Sequence, residues 1–233
     1  MNERDAIGGH FFAALPRPVD FYILRHGESE ANASGRIQGL SDYPLNENGR
    51  MQAAAAGAWF ADRGITRVFA SPLERAAETA AIVCRKAGLP DPIQEPLLME
   101  LDTGRFSGLN ILEIRERHPE DHERFSYLSW DGVTGAESSI SLEGRARSVW
   151  ELLRASAADS GGNVLVVTHG GMIQWLVRVT FGCGSWMPLL PTGNCCVYHL
   201  SVEPNGNGRP AFVRWTDLNL PAGIDQARVP QVF

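Results

Sequence analysis

The sequence predicts a single three-layer α/β/α domain with a mostly parallel central sheet and a C-terminal hairpin. Short apolar runs of strand length at residues 19–24, 68–70 and 163–167 alternate with longer segments of helical spacing. Near the end, two apolar runs at 195–202 and 211–215 flank Pro204-Asn205-Gly206-Asn207-Gly208, the signature of a hairpin. No internal repeat or linker divides the chain, so residues 19–218 read as one catalytic-type domain.

Residues 1–18 carry Gly8-Gly9 and two prolines without periodicity, and read as a poorly structured lead-in whose Phe11 and Phe12 pack on the body or on a partner subunit. After the first strand, residues 27–46 are polar and glycine-rich, hence a loop. Asn46 is an N-cap for a helix striped by Met51, Ala55, Ala58 and Trp59, which runs to about 63 before Gly64. Behind the strand at 68–70, Ser71 reads as an N-cap, Pro72 as the first helical residue and Glu74 as the capping-box acid. Leu73, Ala76, Ala77, Ala80 and Val83 then form the buried face.

Residues 93–101 are apolar and extended with Glu100 embedded, and 111–117 has helical character. Residues 118–140 read as a loop-rich flap with a short helix. Leu142, Ala146, Val149 and Leu153 mark an amphipathic helix, and Trp150 on it is core or interface. A last helix carries Ile173, Leu176, Val177 and Thr180. A loop spans 182–194, and the tail 219–233 has little signal.

Composition narrows the function classes. The chain has 233 residues, 44% of them hydrophobic, enough for a core, and its net charge of -6 without any basic block argues against nucleic-acid binding. No signal-length or membrane-spanning apolar stretch is seen. Cys84, Cys183, Cys195 and Cys196 lack zinc spacing and read as reduced thiols in a cytoplasmic protein. His118 and His122 are four apart, but Pro119 and the lack of a third ligand argue against a metal there. His10 and His199 read as surface or packing residues, and Glu28 as a structural acid bonding loop backbone.

Against this background two strand ends stand out. The first strand runs into Leu24-Arg25-His26-Gly27-Glu28, and the strand at 163–167 runs into Thr168-His169-Gly170-Gly171. Ligands of α/β sheets sit beyond the carboxyl ends of their strands. A buried Arg and His there need an anion, and phosphate is the obvious one. Gly170 and Gly171 open a helix and can offer backbone N–H groups to it. Arg75, in the first turn of its helix, can share that anion. Together Arg25, His26, Arg75, Glu100 and His169 provide what phosphoryl transfer requires: arginine forks, an imidazole nucleophile and a carboxylic acid for the leaving group. No cluster of acids of the kind a Mg²⁺ phosphatase uses occurs, so no metal or other cofactor is expected.

An ordered set of motifs resembles the histidine phosphatase, or phosphoglycerate mutase-like, superfamily. It comprises Leu24-Arg25-His26-Gly27-Glu28-Ser29 with Asn32, Gly35-Arg36-Ile37-Gln38-Gly39 and Pro44-Leu45-Asn46-Glu47. It continues with Ser71-Pro72-Leu73-Glu74-Arg75-Ala76, Glu100 with Gly104 and Gly108, and Val167-Thr168-His169-Gly170-Gly171. The resemblance runs from about 19 to about 200. It implies a phosphoglycerate mutase-like fold, His26 as nucleophile, and Arg25, Arg75 and His169 around the phosphoryl group. It also implies Glu100 as proton donor, with Asn32, Gln38 and the Gly170 backbone as lesser contacts.

Within that family the mutase pattern places an Arg and a Tyr soon after the Glu, and a Lys after Asn110. Here Leu101, Thr103 and Ile111 stand there. The arginine pair that grips a phosphosugar acid is not evident in 118–135. A phosphatase is therefore favoured, acting on a small phosphorylated substrate selected by a lid around Phe125 and Trp130. The alternatives are a bisphosphoglycerate-dependent mutase and a non-catalytic phospho-ligand module, the latter disfavoured because His26, Glu100 and His169 are all present. The apolar lead-in and Trp150 are compatible with a homodimer.

Overall fold

Alternation along the first strand builds the layers. In β1 (Val19–Arg25), Phe21 and Ile23 point to one face of the sheet, Tyr22 and Leu24 to the other. The computed structural model describes residues 7–183 and 189–223. After β1 come α1 (Glu30–Ala33), α2 (Glu47–Phe60), β2 (Ile65–Ala70), α3 (Glu74–Ala87), β3 (Ile93–Gln94), α4 (Ile111–Arg117) and α5 (Pro119–Leu128). The chain continues through α6 (Ser139–Ser160), β4 (Asn163–Thr168), α7 (Gly170–Phe181), β5 (Cys196–Glu203) and β6 (Phe212–Pro221). The sheet order is β3-β2-β4-β1-β5-β6. β1, β2, β3 and β4 run parallel, and β5 and β6 form the antiparallel hairpin.

One face packs on α6 and α7, with Trp150 fully buried against Phe12 and Phe21 and its indole N–H on the Leu176 carbonyl at 3.0 Å. The other packs on α2 and α3 through Ala53, Ala56, Phe60, Ala76, Ala80 and Val83. All four apolar positions read for α6 (Leu142, Ala146, Val149 and Leu153) are buried. Among the described residues no helix is long and apolar enough to cross a membrane.

Several local expectations are corrected. Residues 7–18 form only turns, yet Ile7, Phe12 and Leu15 are buried in the core, so this part of the lead-in is packed on the body. The loop 27–46 contains α1, capped by a Ser29/Asn32 box that is legible as a motif but too short to show periodicity. The α2 stripe is out of phase: Met51 is exposed, while Gln52, Ala53, Ala56 and Phe60 face inward, because a run of alanines does not mark a side. The helix expected from Ser71 begins instead at Glu74 with Leu73 as N-cap. Residues 93–101 form a two-residue strand and a 3₁₀ turn at Pro96–Leu98 rather than one extended run. β6 reaches Pro221, so the tail starts later than expected. Residues 1–6, 184–188 and 224–233, parts of the expected lead-in, loop and tail, lie outside the described residues.

Candidate active site

The register of the central strands brings the two histidines together. Arg25 at the end of β1 lies opposite Thr168 at the end of parallel β4, so the next residue on each strand, His26 and His169, emerges side by side. Their ring centroids are 5.1 Å apart with planes at 55°. Both are buried, as are Arg25 and Arg75.

His26 Nδ1 lies 2.7 Å from the Gly27 carbonyl oxygen. A carbonyl only accepts, so Nδ1 carries the proton and Nε2 keeps its lone pair. Gly27 is fixed in turn: its N–H donates to Thr79 Oγ1 at 3.0 Å, and a Cβ on it would stand 2.5 Å from the Gly49 carbonyl oxygen. Only glycine permits that backbone approach at the start of α2. Glu28 is structural here, its carboxylate accepting from the Asn46 side chain at 2.6 Å.

Arg75 reaches the same place from the first turn of α3. Its guanidinium donates to the Ser41 and Gly39 carbonyls at 3.0 and 2.9 Å, which fixes its plane. Arg25 donates to the Thr192 carbonyl. Nε of Arg25, Nε of Arg75 and Nδ1 of His169 are buried without a hydrogen-bond partner among the described residues. Burying such groups unpartnered is costly, and two arginine N–H groups left so beside the histidine pair mark a site shaped for an anionic acceptor.

Glu100 faces this cluster. One carboxylate oxygen accepts from its neighbour Leu101 N–H at 2.9 Å, the other from Gly171 N–H at 3.1 Å. A Cβ on Gly171 would come within 2.4 Å of Glu100 Oε1, so that glycine makes room for the acid. Gly170, the first residue of α7, lies where a Cβ would meet Thr192 Oγ1 at 2.9 Å. The α7 N-terminus therefore adds its partial positive charge to the site.

Electrostatics follow from burial and from the arginines. Desolvation, then Arg75 and Arg25, hold His26 well below its ordinary pKa; the Gly27 hydrogen bond opposes this. His169 is lowered in the same way, by burial first and then by Arg75, His26 and Arg25. Both shifts favour the neutral imidazole. Burial also pulls the Arg75 guanidinium down to about 10, against the favourable charge of Glu100.

Asn32 and Gln38 stand at the edge. The Ser29 hydroxyl lies 3.0 Å from Asn32 Oδ1 and 2.9 Å from Gln38 Oε1, and its single proton serves one at a time. Sequence reasoning missed several supporting residues. Ser71, read as a helix cap, instead places its hydroxyl 2.7 Å from His169 Nε2. Asn194 Nδ2 donates to the His26 carbonyl at 3.1 Å and to Asn32 Oδ1 at 3.2 Å. Thr79, one turn after Arg75, carried a spacing signal; Asn194, in an irregular loop, carried none. Phe125 and Trp130 do not stand free as a lid. They pack edge-on to each other and to Phe106, in a small core with Ile114 and Val133. Among the described residues no group of three or more His, Cys, Asp or Glu is arranged to hold a metal ion.

Residues 21–218 match the model of the histidine phosphatase superfamily, branch 1. The chain belongs to that superfamily. It is 36% identical over 169 residues to the bifunctional protein Rv2228c of Mycobacterium tuberculosis, of whose length it spans 46%. It is 32% identical over 187 residues to the probable phosphoglycerate mutase GpmB of Escherichia fergusonii, covering 79% of this chain and 86% of that one. With the metal-independent phosphoserine phosphatase of Arabidopsis thaliana it shares 33% identity over 166 residues, 70% of this chain and 69% of the relative. Among solved structures, mycobacterial glucosyl-3-phosphoglycerate phosphatase Rv2419c in complex with VO3 superposes with a TM-score of 0.72 at 27% identity, covering 88% of this chain and 99% of that one. The superfamily thus holds both phosphatase and mutase-like relatives of this chain, around one phosphoglycerate mutase-like fold.

Proposed function

We propose that this protein hydrolyses small phosphomonoesters through a phosphohistidine on His26, without a metal ion. The observation that carries the reading is the pair of unpartnered buried N–H donors, Arg25 Nε and Arg75 Nε, on guanidiniums that act electrostatically on an imidazole whose Nδ1–H is fixed on Gly27. The donors take the non-bridging phosphoryl oxygens. His26 Nε2 forms the N–P bond as the ester P–O bond breaks, and Glu100 gives its proton to the departing oxygen. The resulting carboxylate takes a proton from water, which attacks phosphorus, breaks the N–P bond and releases phosphate. Asn32, Gln38 and the Gly170 N–H are proposed as outer contacts.

The test is phosphate release from a panel of phosphomonoesters with EDTA present, using His26→Ala as control. EDTA-resistant release that the substitution abolishes is expected; no release from any ester would overturn hydrolysis as the function. A mutase reading is supported by the likeness to the probable phosphoglycerate mutase GpmB. Dependence of phosphoglycerate interconversion on a bisphosphoglycerate primer would establish it instead.

A further inference from the structure

Glu100 lies on irregular backbone, where no strand ladder places it, between the 3₁₀ turn Pro96–Leu98 and a second one at Gly104–Phe106. Thr168 Oγ1 donates to the Leu98 carbonyl at 2.6 Å, and one guanidinium from α6 binds the carbonyls on either side of it. Arg145 Nη1 donates to the Leu97 carbonyl at 3.1 Å and to the Met99 carbonyl at 2.5 Å, and Nη2 lies 3.5 Å from the Glu100 carbonyl. Its other edge is a two-point pair with Glu137, Nε to Oε1 at 3.1 Å and Nη2 to Oε2 at 2.5 Å. Glu137 closes the loop, its N–H donating to the Asp102 carbonyl at 2.9 Å, two residues past Glu100. The side chains of Arg145 and Glu137 are only 14% and 17% exposed. A planar fork with five donors can bind these carbonyls and a carboxylate together; an ammonium cannot.

We propose that Arg145 is a positioning residue that, braced by Glu137 at the end of the flap, sets Glu100 against the leaving group. The inference rests on Glu100 being the acid of the proposed reaction. Arg145 touches no reacting atom. It fixes the backbone from which the carboxyl group projects, and a displacement of about 1 Å there costs as much as ~10²-fold in rate.

Leaving-group chemistry separates positioning from simple stabilisation. An alkyl phosphate such as phosphoserine needs a proton on its departing oxygen; p-nitrophenyl phosphate leaves as a stabilised anion and needs little help. For both esters kcat/KM, which ends at release of the alcohol and so excludes the water step that also uses Glu100, is measured for Glu100→Gln, Arg145→Gln, Arg145→Lys and Glu137→Gln. The p-nitrophenyl kcat/KM in each variant reports folded enzyme. We expect Glu100→Gln to lower the alkyl-to-aryl rate ratio by about 10²-fold. Arg145→Gln should lower it by about 10-fold, with Arg145→Lys not rescuing it and Glu137→Gln shifting it in the same direction. The double variant Arg145→Gln with Glu100→Gln should have the ratio of Glu100→Gln alone. An equal loss on both esters in the Arg145 and Glu137 variants, while Glu100→Gln remains selective, would overturn the positioning role and leave the proposed reaction standing. A Glu100→Gln variant with an unchanged ratio would instead remove Glu100 as the acid, and the Arg145 inference with it.

Discussion

Two histidine clusters on one sheet have opposite fates. His199, on β5, stacks on Tyr22 at 4.4 Å. Its Nε2 lies 2.9 Å from Asp20 Oδ1 and its Nδ1 2.6 Å from Thr216 Oγ1, with Asp217 Oδ2 at 3.3 Å. Both ring nitrogens are engaged and acids surround the ring. His26 and His169, just beyond the carboxyl ends of β1 and β4, sit among guanidiniums whose Nε–H groups on Arg25 and Arg75 are unpartnered among the described residues. A satisfied cluster stabilises the fold. An unsatisfied cationic one holds its dipoles ready for an anion, which is what transition-state stabilisation requires.

The comparison breaks most sharply at the nucleophile. His26→Ala is expected to lower kcat/KM for phosphomonoester hydrolysis by at least ~10³-fold, checked by phosphate release with the fold monitored by circular dichroism. Retained turnover would mean that the buried pair is no more catalytic than His199. Next comes Gly171→Ala. Its added methyl must displace both the Glu100 carboxyl and the buried Leu101 side chain, so a loss of about 10²-fold is expected together with a lowered melting temperature from overpacking of about 1–3 kcal/mol. Arg75→Lys keeps the charge but cannot hold the Gly39 and Ser41 carbonyls together with a phosphoryl group. We expect about 10- to 100-fold lower kcat/KM and a matching rise in the inhibition constant of inorganic phosphate.

The pH dependence of stability sharpens the contrast further. His26 and His169 are lowered below the ordinary value of 6.5, so below that pH the unfolded chain binds protons that the folded one refuses. Their neutral burial is therefore without penalty above 6.5, and stability falls as pH drops toward the folded-state values. Urea titrations over this range should show the fall in the wild type and a smaller one in His169→Asn. Smallest in activity is His199→Asn, which should leave kcat/KM within about 2-fold while removing about 1–3 kcal/mol of stability, through the unpaired groups left behind.

Much of this was written in local chemistry. Each strand ending in His-Gly carried its own signal, and the parallel register of β1 and β4 then made the histidines neighbours. The α6 stripe was legible because large apolar residues alternate there with charged ones; the α2 stripe was not, because alanine has too little side chain to distinguish faces. Ser71 was misread since a Ser-Pro-Leu-Glu run satisfies cap chemistry equally well, and only the fold brings His169 to its hydroxyl. Asn194 and Arg145 act on backbone carbonyls far away in sequence, and such contacts have no spacing for a reader to find.

The most direct test of the account is the stereochemical course at phosphorus, using an isotopically chiral phosphomonoester and transfer to an acceptor alcohol. Two in-line displacements through His26 predict net retention of configuration. Inversion would mean direct attack by the acceptor in one step, and would contradict a phosphohistidine intermediate.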